Sequence, residues 1–144
     1  EIEKSKLEEK ILISSFDWRI LKEFSIQMPN IVRGYLSFQQ NSGVKIEKTI
    51  YKNSPWMDLA LAFKEYDLPG LIKQIGGKVW CPFYRDITKK DVDMAHEEGL
   101  VVNVWTVNKD NDMMQMIEYG VDAIITDYPL VLKEVCEKNN IKWF

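Results

Sequence analysis

Short apolar runs alternate along the chain with longer amphipathic stretches. The apolar runs begin at Ile11, Ile31, Val79, Leu100 and Val121. After the first run, Leu21, Phe24 and Met28 recur at the spacing of a helix that buries one face. Strands that alternate with helices predict parallel βα units, because two parallel strands need a crossover and a helix supplies it. The hydrophobic pattern therefore indicates an α/β fold.

The ends of the predicted helices carry residues with known capping preferences. Asp17 is predicted to cap the first helix, because its carboxylate can accept hydrogen bonds from backbone N–H groups of the first turn. Thr88, with Asp91 three residues later, resembles a capping box, and Pro129 suits the first position of the last helix. The predicted stops are Pro29, Gly99 and Gly120.

The predicted strands cover residues 11–16, 31–38, 79–81, 100–107 and 121–126. Residues 101–102 and 123–125 are apolar at consecutive positions, which is typical of strands that are covered on both faces. Residues 39–77 fit the alternation poorly, and we interpret them as an insertion that is partly helical. Periodicity does not distinguish an open sheet from a closed barrel, so both arrangements stay possible at this point.

Composition narrows the class of protein. The 144 residues fit one domain, and 46% hydrophobic with 28% charged residues is typical of a globular protein. The net charge of −3, with both signs mixed, argues against a nucleic-acid partner, whose binding needs clustered Lys and Arg. No stretch reaches the roughly 18 apolar residues of a transmembrane segment. Cys81 and Cys136 lack the spacing of a metal site or a disulfide framework, so we expect both to be reduced packing residues. The sequence does not fix the cellular compartment, and the cytoplasm is slightly favoured.

Ligands of parallel α/β folds bind at the carboxyl ends of the strands. The predicted strand ends, which are mainly aromatic or hydroxyl-bearing, are residues 14–17, 36–38, 82–84, 105–108 and 126–127. Asp17 is better explained as a helix cap, and Asp127 as a cap or a loop brace. His96 lies inside a predicted helix, so we expect a structural role for it. Trp105 differs from these, because a tryptophan at the mouth of an apolar strand suits a pocket wall as well as a core.

Three segments of the chain carry a more specific signal. They are Ile13-Ser14-Ser15-Phe16-Asp17, Val104-Trp105-Thr106-Val107-Asn108, and residues 120–129 with the sequence GVDAIITDYP, and Ala95-His96-Glu97-Glu98-Gly99-Leu100 adds to them. Taken together, a W-T-V-N segment followed shortly by G-V-D-x-I-I-T-D-x-P resembles the glycerophosphodiester phosphodiesterase family. The resemblance covers residues 11–132 apart from the insertion at 39–77.

The resemblance implies a fold, an activity and a cofactor. Members of the family fold as eight-stranded βα barrels, so this chain would be the C-terminal half of a (β/α)8 TIM-type barrel spanning residues 1–144. They hydrolyse glycerophosphodiesters to glycerol 3-phosphate and an alcohol, using His-Arg, Glu-x-Asp, His-Asp and Glu-x-Lys motifs with a divalent cation, Mg or Ca. No segment here is assigned to these motifs, and the superficially similar Glu1-Ile2-Glu3-Lys4 has the wrong spacing. We therefore expect no catalytic residue and no metal ligand in this chain.

The resemblance assigns four residues to substrate binding. Phe16 and Trp105 would form apolar walls for the glycerol or alcohol moiety of a glycerophosphodiester. Ser15 and Asn108 would lie at the rim of the pocket or behind its wall.

Half a barrel would leave its first and last strands without a neighbour on one side. The expected partner is therefore the missing N-terminal half of the barrel or a second copy of the chain. Two functions follow: part of a working hydrolase in which this chain alone is inactive, or an inactive truncated βα module that acts in binding or assembly. An unrelated open α/β domain stays possible only if the strand order is not that of a barrel.

Overall fold

The structure is a computed structural model, and it describes residues 10–39, 54, 56–57 and 68–142. The strands are β1 (Leu12–Ser15), β2 (Val32–Ser37), β3 (Val79–Pro82), β4 (Val101–Val104) and β5 (Ala123–Ile124). The helices are α1 (Trp18–Gln27), α2 (Leu68–Gln74), α3 (Lys89–Glu97), α4 (Asp110–Tyr119) and α5 (Pro129–Lys138), and a short 3-10 helix, Tyr84–Asp86, follows β3. None of the described helices has the length and hydropathy needed to cross a membrane.

All five strands form one sheet in the order β1-β2-β3-β4-β5, and every neighbouring pair is parallel. The spatial order follows the chain order, so the sheet has no point at which the winding reverses, as a doubly wound fold would have. This topology confirms the predicted α/β fold with barrel-type winding. It also removes the alternative of an unrelated open α/β domain.

The helix ends confirm most of the capping predictions. The Asp17 carboxylate accepts a hydrogen bond from a backbone N–H in the first turn of α1. Thr88 and Asp91 form the predicted reciprocal capping box at the start of α3. Gly99 and Gly120 have φ angles of 74° and 82°, the left-handed conformation that glycine adopts at low cost. These ends were predictable because each depends on residues within one helical turn.

Four strands are shorter than the sequence predicts: β1 and β2 lose one residue at each end, and β4 and β5 lose more. Residues 100–107 were expected to form one strand, but β4 ends at Val104, and Trp105 adds only an isolated bridge to Phe83. Residues 121–126 were expected to form another, but β5 contains two residues. Both predictions are wrong in extent because the chain turns toward α4 after Trp105, and β5 pairs on one side only in the described sheet.

The insertion at 39–77 falls largely outside the described residues. The predicted amphipathic piece at 57–66 lies outside the described residues apart from Met57. The end of the insertion forms α2, in which Leu68, Pro69, Leu71 and Ile72 are buried. The backbone N–H of Trp18 donates to the carbonyl oxygen of Trp56 at 2.9 Å, so one point of this insertion contacts the start of α1.

The two faces of the sheet have different surroundings. Tyr35, Trp80 and Val102 pack with helix residues such as Leu21 and Val92 in the main hydrophobic core. Side chains alternate between faces along a strand, so the residues between these lie on the other side. We call that side the inner face, and its residues are Leu12, Ser14, Val32, Gly34, Leu36, Val79, Cys81, Val101, Asn103, Ala123 and Ile125.

The sheet curves strongly toward its inner face. Phe16 follows β1 and Trp105 follows β4, yet their ring centroids are 5.3 Å apart. Adjacent strands lie about 4.8 Å apart, so three steps across a flat sheet would separate β1 from β4 by about 14 Å. The rings meet because the carboxyl ends of the strands roll toward each other, as strands do around a barrel axis.

The inner face is incompletely covered. Val101 and Ile125 are each 43% exposed, and Leu12 is 42% exposed. The expectation that residues 101–102 and 123–125 are covered on both faces is therefore wrong, because no strands face them in the described part of the chain. β1 and β5 are the two edges of the described sheet, as expected for part of a barrel. A closed barrel of this class has eight strands, so five strands leave a gap.

The cysteines are packing residues, as expected. Cys81 and Cys136 are both free and buried. Burial raises the pKa of the Cys81 thiol to about 12, so the thiol stays protonated and is a poor nucleophile at neutral pH.

Gly34 allows β1, β2 and β3 to pack closely at the inner face. A Cβ atom at this position would lie 2.9 Å from Cys81 Sγ, 3.0 Å from Leu12 Cδ2 and 3.2 Å from Ser14 Cβ. Leu12 could move, because its side chain is exposed, but the Cys81 sulfur is buried in the sheet. The strand therefore requires glycine here for space.

We expect Gly34→Ala to lower the free energy of unfolding by about 1–3 kcal/mol, the usual cost of overpacking. Urea denaturation monitored by circular dichroism would measure it. Adding Cys81→Ala removes the nearest atom, so the double variant should lose less than the sum of the two single losses. Additive losses would contradict this account of the packing.

Candidate active site

Four aromatic rings meet at the carboxyl edge of the sheet. They come from the ends of four consecutive strands: Phe16 after β1, Phe38 after β2, Phe83 after β3 and Trp105 after β4. The Trp105 ring lies 5.3 Å from Phe16, 6.3 Å from Phe38 and 5.2 Å from Phe83, measured between centroids. We call this group the aromatic wall. Phe38 and Phe83 are buried, whereas Phe16 and Trp105 are partly exposed.

The orientation of Trp105 is fixed by two contacts. Its indole N–H donates to the carbonyl oxygen of Cys81 at 2.8 Å. Its ring meets Phe16 nearly perpendicularly, at 82°, the edge-to-face geometry that adds about 0.5–1.5 kcal/mol to an aromatic pair. Because the only polar atom of the side chain is already bonded, the exposed part of Trp105 offers an apolar surface.

Asn108 joins the loops that follow β4 and β5. Its side-chain Nδ2 donates to Asp127 Oδ2 at 2.7 Å. Its Oδ1 accepts from Thr126 Oγ1 at 3.1 Å and from the backbone N–H of Asp127 at 3.0 Å. Asp127 therefore braces a loop, one of the two structural roles expected for it, and caps no helix. We call these three bonds the Asn108 clamp.

Ser15 is the last residue of β1, immediately before the turn that leads to α1. Its Oγ accepts a hydrogen bond from the backbone N–H of Asp17 at 3.0 Å. Asp17 is held in turn by the Arg19 guanidinium through bonds of 2.8 and 2.6 Å. The hydrogen bond from Arg19 holds the pKa of the Asp17 carboxyl below its usual range. The Ser15 hydroxyl thus supports the turn beside Phe16, and its place at the rim of a pocket stays a prediction.

A second polar group lies beside the aromatic wall. The Tyr84 hydroxyl donates to Asp112 Oδ2 at 2.9 Å and accepts from Arg85 Nε at 2.8 Å. Burial, followed by the bond to Asp112, raises the pKa of Tyr84. The phenol therefore stays neutral at physiological pH and joins the 3-10 helix to the first turn of α4.

His96 lies beside the amino ends of the strands, on the side of the sheet opposite the aromatic wall. Its Nε2 is 2.9 Å from Asp122 Oδ2, and that same oxygen accepts from the backbone N–H of Val102 at 2.8 Å. Asp122 precedes β5, so this contact is at the amino end of the strands, far from the aromatic wall. This contact agrees with the structural role expected for His96, which stays a prediction.

The carboxylates at the carboxyl edge do not form a metal site in the described part of the chain. Four of them are engaged by different partners: Asp17 by Arg19, Asp86 by the backbone N–H of Gln39, Asp112 by Tyr84, and Asp127 by Asn108. No three acidic, histidine or cysteine side chains converge among the described residues. These residues do not fit a divalent cation, and no step of a reaction is assigned to one here.

Comparison with known proteins places this geometry in a family. The profile of the glycerophosphoryl diester phosphodiesterase family matches residues 1–131. The chain belongs to this family. The membership agrees with the resemblance of the segments that carry Phe16, Trp105 and Asn108.

Three similar proteins are considerably longer than this chain. A glycerophosphodiester phosphodiesterase of Caldanaerobacter subterraneus is 30% identical over 137 residues, which are 95% of this chain and 46% of that protein. One from Bacillus subtilis is 26% identical over 134 residues, covering 90% of this chain and 44% of that protein. The crystal structure of a putative glycerophosphoryl diester phosphodiesterase from Silicibacter pomeroyi superposes with a TM-score of 0.79 at 32% identity, over 99% of this chain and 43% of that one. The chain thus spans less than half of each relative.

The structure brings some predicted site residues together and separates others. Phe16 and Trp105 are in ring contact, and Asn108 lies three residues after Trp105. The Ser15 hydroxyl instead accepts a hydrogen bond from the backbone N–H of Asp17, just before α1. Sequence reasoning placed Phe38 and Phe83 at strand ends but gave them no role, although both belong to the aromatic wall. Their position after consecutive strands was the available signal, since parallel strands end at one edge.

The Asn108 clamp gives a stability prediction. Asn108→Ala removes three hydrogen bonds and leaves Asp127 without its side-chain partner, so we expect the free energy of unfolding to fall by about 1–3 kcal/mol. Urea denaturation measures the change. Asn111→Ala, at an exposed position of α4, is the matched control and should change stability by less than about 0.5 kcal/mol. Equal effects of the two substitutions would argue against the clamp.

Proposed function

We propose that this chain forms part of a glycerophosphodiester phosphodiesterase, and that the complete barrel hydrolyses a glycerophosphodiester to glycerol 3-phosphate and an alcohol. The observation that carries the proposal is the contact of Phe16 with Trp105 at the carboxyl edge of the sheet. That edge is where parallel βα barrels bind their ligands. Family membership supports the same activity, and the expected substrates are glycerophosphodiesters derived from phospholipids.

In this proposal the chain supplies binding surface. Phe16 and the bonded indole of Trp105 would contact the carbon atoms of the glycerol or alcohol moiety and exclude water from one side of the pocket. Asn108 would hold the β4 and β5 loops in place behind that wall, and Ser15 would fix the turn that carries Phe16. None of these groups is a general acid, a general base or a metal ligand.

The chain alone is expected to be inactive. The family resemblance implies that carboxylates from the rest of the barrel hold a divalent cation, Mg or Ca, which would neutralise charge on the phosphoryl group, and that histidines there act as nucleophile or base and as general acid. The described carboxylates do not fit such a cation, as their separate partners indicate. Chemistry would therefore require the companion half of the barrel.

A second candidate function is an inactive βα module that acts in binding or assembly. The observation that favours it is the exposure of Leu12 beside one sheet edge and of Ile125 beside the other. Exposed apolar edges favour pairing with another chain. A second copy that pairs with both edges would make this chain a stable oligomer without enzymatic activity.

Release of glycerol 3-phosphate from glycerophosphocholine, with Mg²⁺ or Ca²⁺ present, tests the two candidates. We expect no release by the chain alone and metal-dependent release when it is joined behind the N-terminal portion of the Caldanaerobacter subterraneus relative. Sedimentation of the chain alone reports the competing assembly. Turnover by the isolated chain would refute its inactivity, and a stable oligomer together with a folded but inactive joined barrel would favour the assembly function.

Trp105 tests the wall within the active barrel. We expect Trp105→Ala to lower kcat/KM by about 5- to 150-fold, equivalent to about 1–3 kcal/mol, because an apolar contact to the substrate is lost. Trp105→Phe should lose less, since it keeps an aromatic surface. The control is Ile26→Ala, which changes an exposed residue near the end of α1, toward the amino ends of the strands and away from the aromatic wall. Unchanged kinetics in Trp105→Ala would show that the residue is only part of the core.

A further inference from the structure

Asn103 is a polar residue on an otherwise largely apolar stretch of the inner face. It lies in β4 between Val101 and Trp105 on the same face, and it pairs with Ala123 of β5. The register of β3 with β4 places it level with Cys81. Its neighbours on the inner face thus offer apolar groups and a protonated thiol.

The amide oxygen of Asn103 has no hydrogen-bond donor. Oδ1 is shielded from solvent, and no donor among the described residues reaches it. The nearest polar group along the strand, the indole N–H of Trp105, already donates to the carbonyl oxygen of Cys81. A shielded acceptor without a donor costs free energy, and native structures contain few of them.

The missing donor has a defined direction. Interior layers of an eight-stranded barrel are built from alternate strands, so the layer of a β4 side chain includes the strand that would follow β5. β5 is the edge of the described sheet, and the place of that next strand is open. A side chain from that strand would reach the inner face beside Asn103.

We propose that Asn103 is a positioning residue, whose amide oxygen accepts a hydrogen bond from a donor side chain of the strands that close the barrel. The proposal rests on the function proposed above, because it assumes a complete phosphodiesterase barrel. Asn103 lies two residues before Trp105, about 6.7 Å along the strand, so the bonded donor would sit directly beneath the aromatic wall. A hydrogen bond there would fix the rotamer of a polar side chain from the N-terminal half of the barrel, which is expected to carry the catalytic motifs.

Asn103→Leu in the complete barrel tests the bond, because leucine has a similar shape and no polar atom. If the oxygen has a donor, the substitution leaves that donor without an acceptor. The urea midpoint of unfolding then falls, and kcat drops about 10- to 100-fold with little change in KM. If the oxygen has no donor in the complete barrel, leucine removes an unsatisfied buried acceptor, so the protein becomes more stable and the urea midpoint rises. A midpoint that rises or stays constant would overturn the proposal.

Asn103→Asp separates an accepting from a donating role. Aspartate keeps an acceptor oxygen at the same place, so the midpoint and kcat should lie closer to wild type than those of Asn103→Leu. Equal damage by Asp and Leu would show that an acceptor oxygen at this place preserves neither stability nor kcat, and would also overturn the proposal. Val101→Ala, two residues away on the same face, is the control and should leave kcat within about twofold of wild type.

The stability readout keeps this inference separate from the proposed function. A complete barrel that folds but hydrolyses no glycerophosphodiester would refute the phosphodiesterase proposal. The urea midpoints of Asn103→Leu and Asn103→Asp would still decide whether the closing strands supply a donor. Wild-type hydrolysis with a raised Asn103→Leu midpoint would leave the activity standing and refute the role of Asn103.

Discussion

The contact of Phe16 with Trp105 joins the ends of two strands that stand three places apart in the sheet. It is possible only because the sheet rolls toward its inner face, and the other features of the carboxyl edge depend on that curvature. Phe38 and Phe83 become the buried backing of the aromatic wall because they follow the strands in between. Gly34 contributes to the close packing of these strands, because a side chain there would clash with Leu12 of β1 and Cys81 of β3. A flat arrangement of the same strands would have no wall.

Hydrogen bonds complete what the aromatic packing begins. Asn108 connects the end of the WTVN segment to the Thr126-Asp127 turn, so two motifs that are separate in sequence form one rigid edge. The indole of Trp105 bonds to a carbonyl of the neighbouring strand, which leaves an apolar surface of fixed orientation. The polar residues of this edge thus serve mainly to hold backbone and rings. That division of labour is consistent with a chain that shapes a pocket while chemistry comes from elsewhere in the barrel.

The exposed inner face follows from the number of strands. Five parallel strands cover part of a cylinder, and the residues that would face the rest of the interior, such as Val101 and Ile125, are therefore exposed. Asn103 lies on the same face, and no donor among the described residues reaches its shielded amide oxygen. Apolar exposure and an unsatisfied acceptor both cost free energy, and a closing set of strands would relieve both at once. The favourable partner is thus one that brings polar donors as well as apolar surface.

The sequence by itself determined the α/β class, most helix ends and the family. Helix ends such as Asp17 and Gly120 depend on residues within one turn, and the motifs that contain Phe16 and Trp105 are contiguous, so local reading was sufficient. The extent of β4 and β5 and the exposure of Val101 were predicted wrongly, because they depend on which strands lie alongside. Only the tertiary structure decided which residues share the aromatic wall. Curvature brings together side chains from strands far apart in sequence, and no local pattern encodes it.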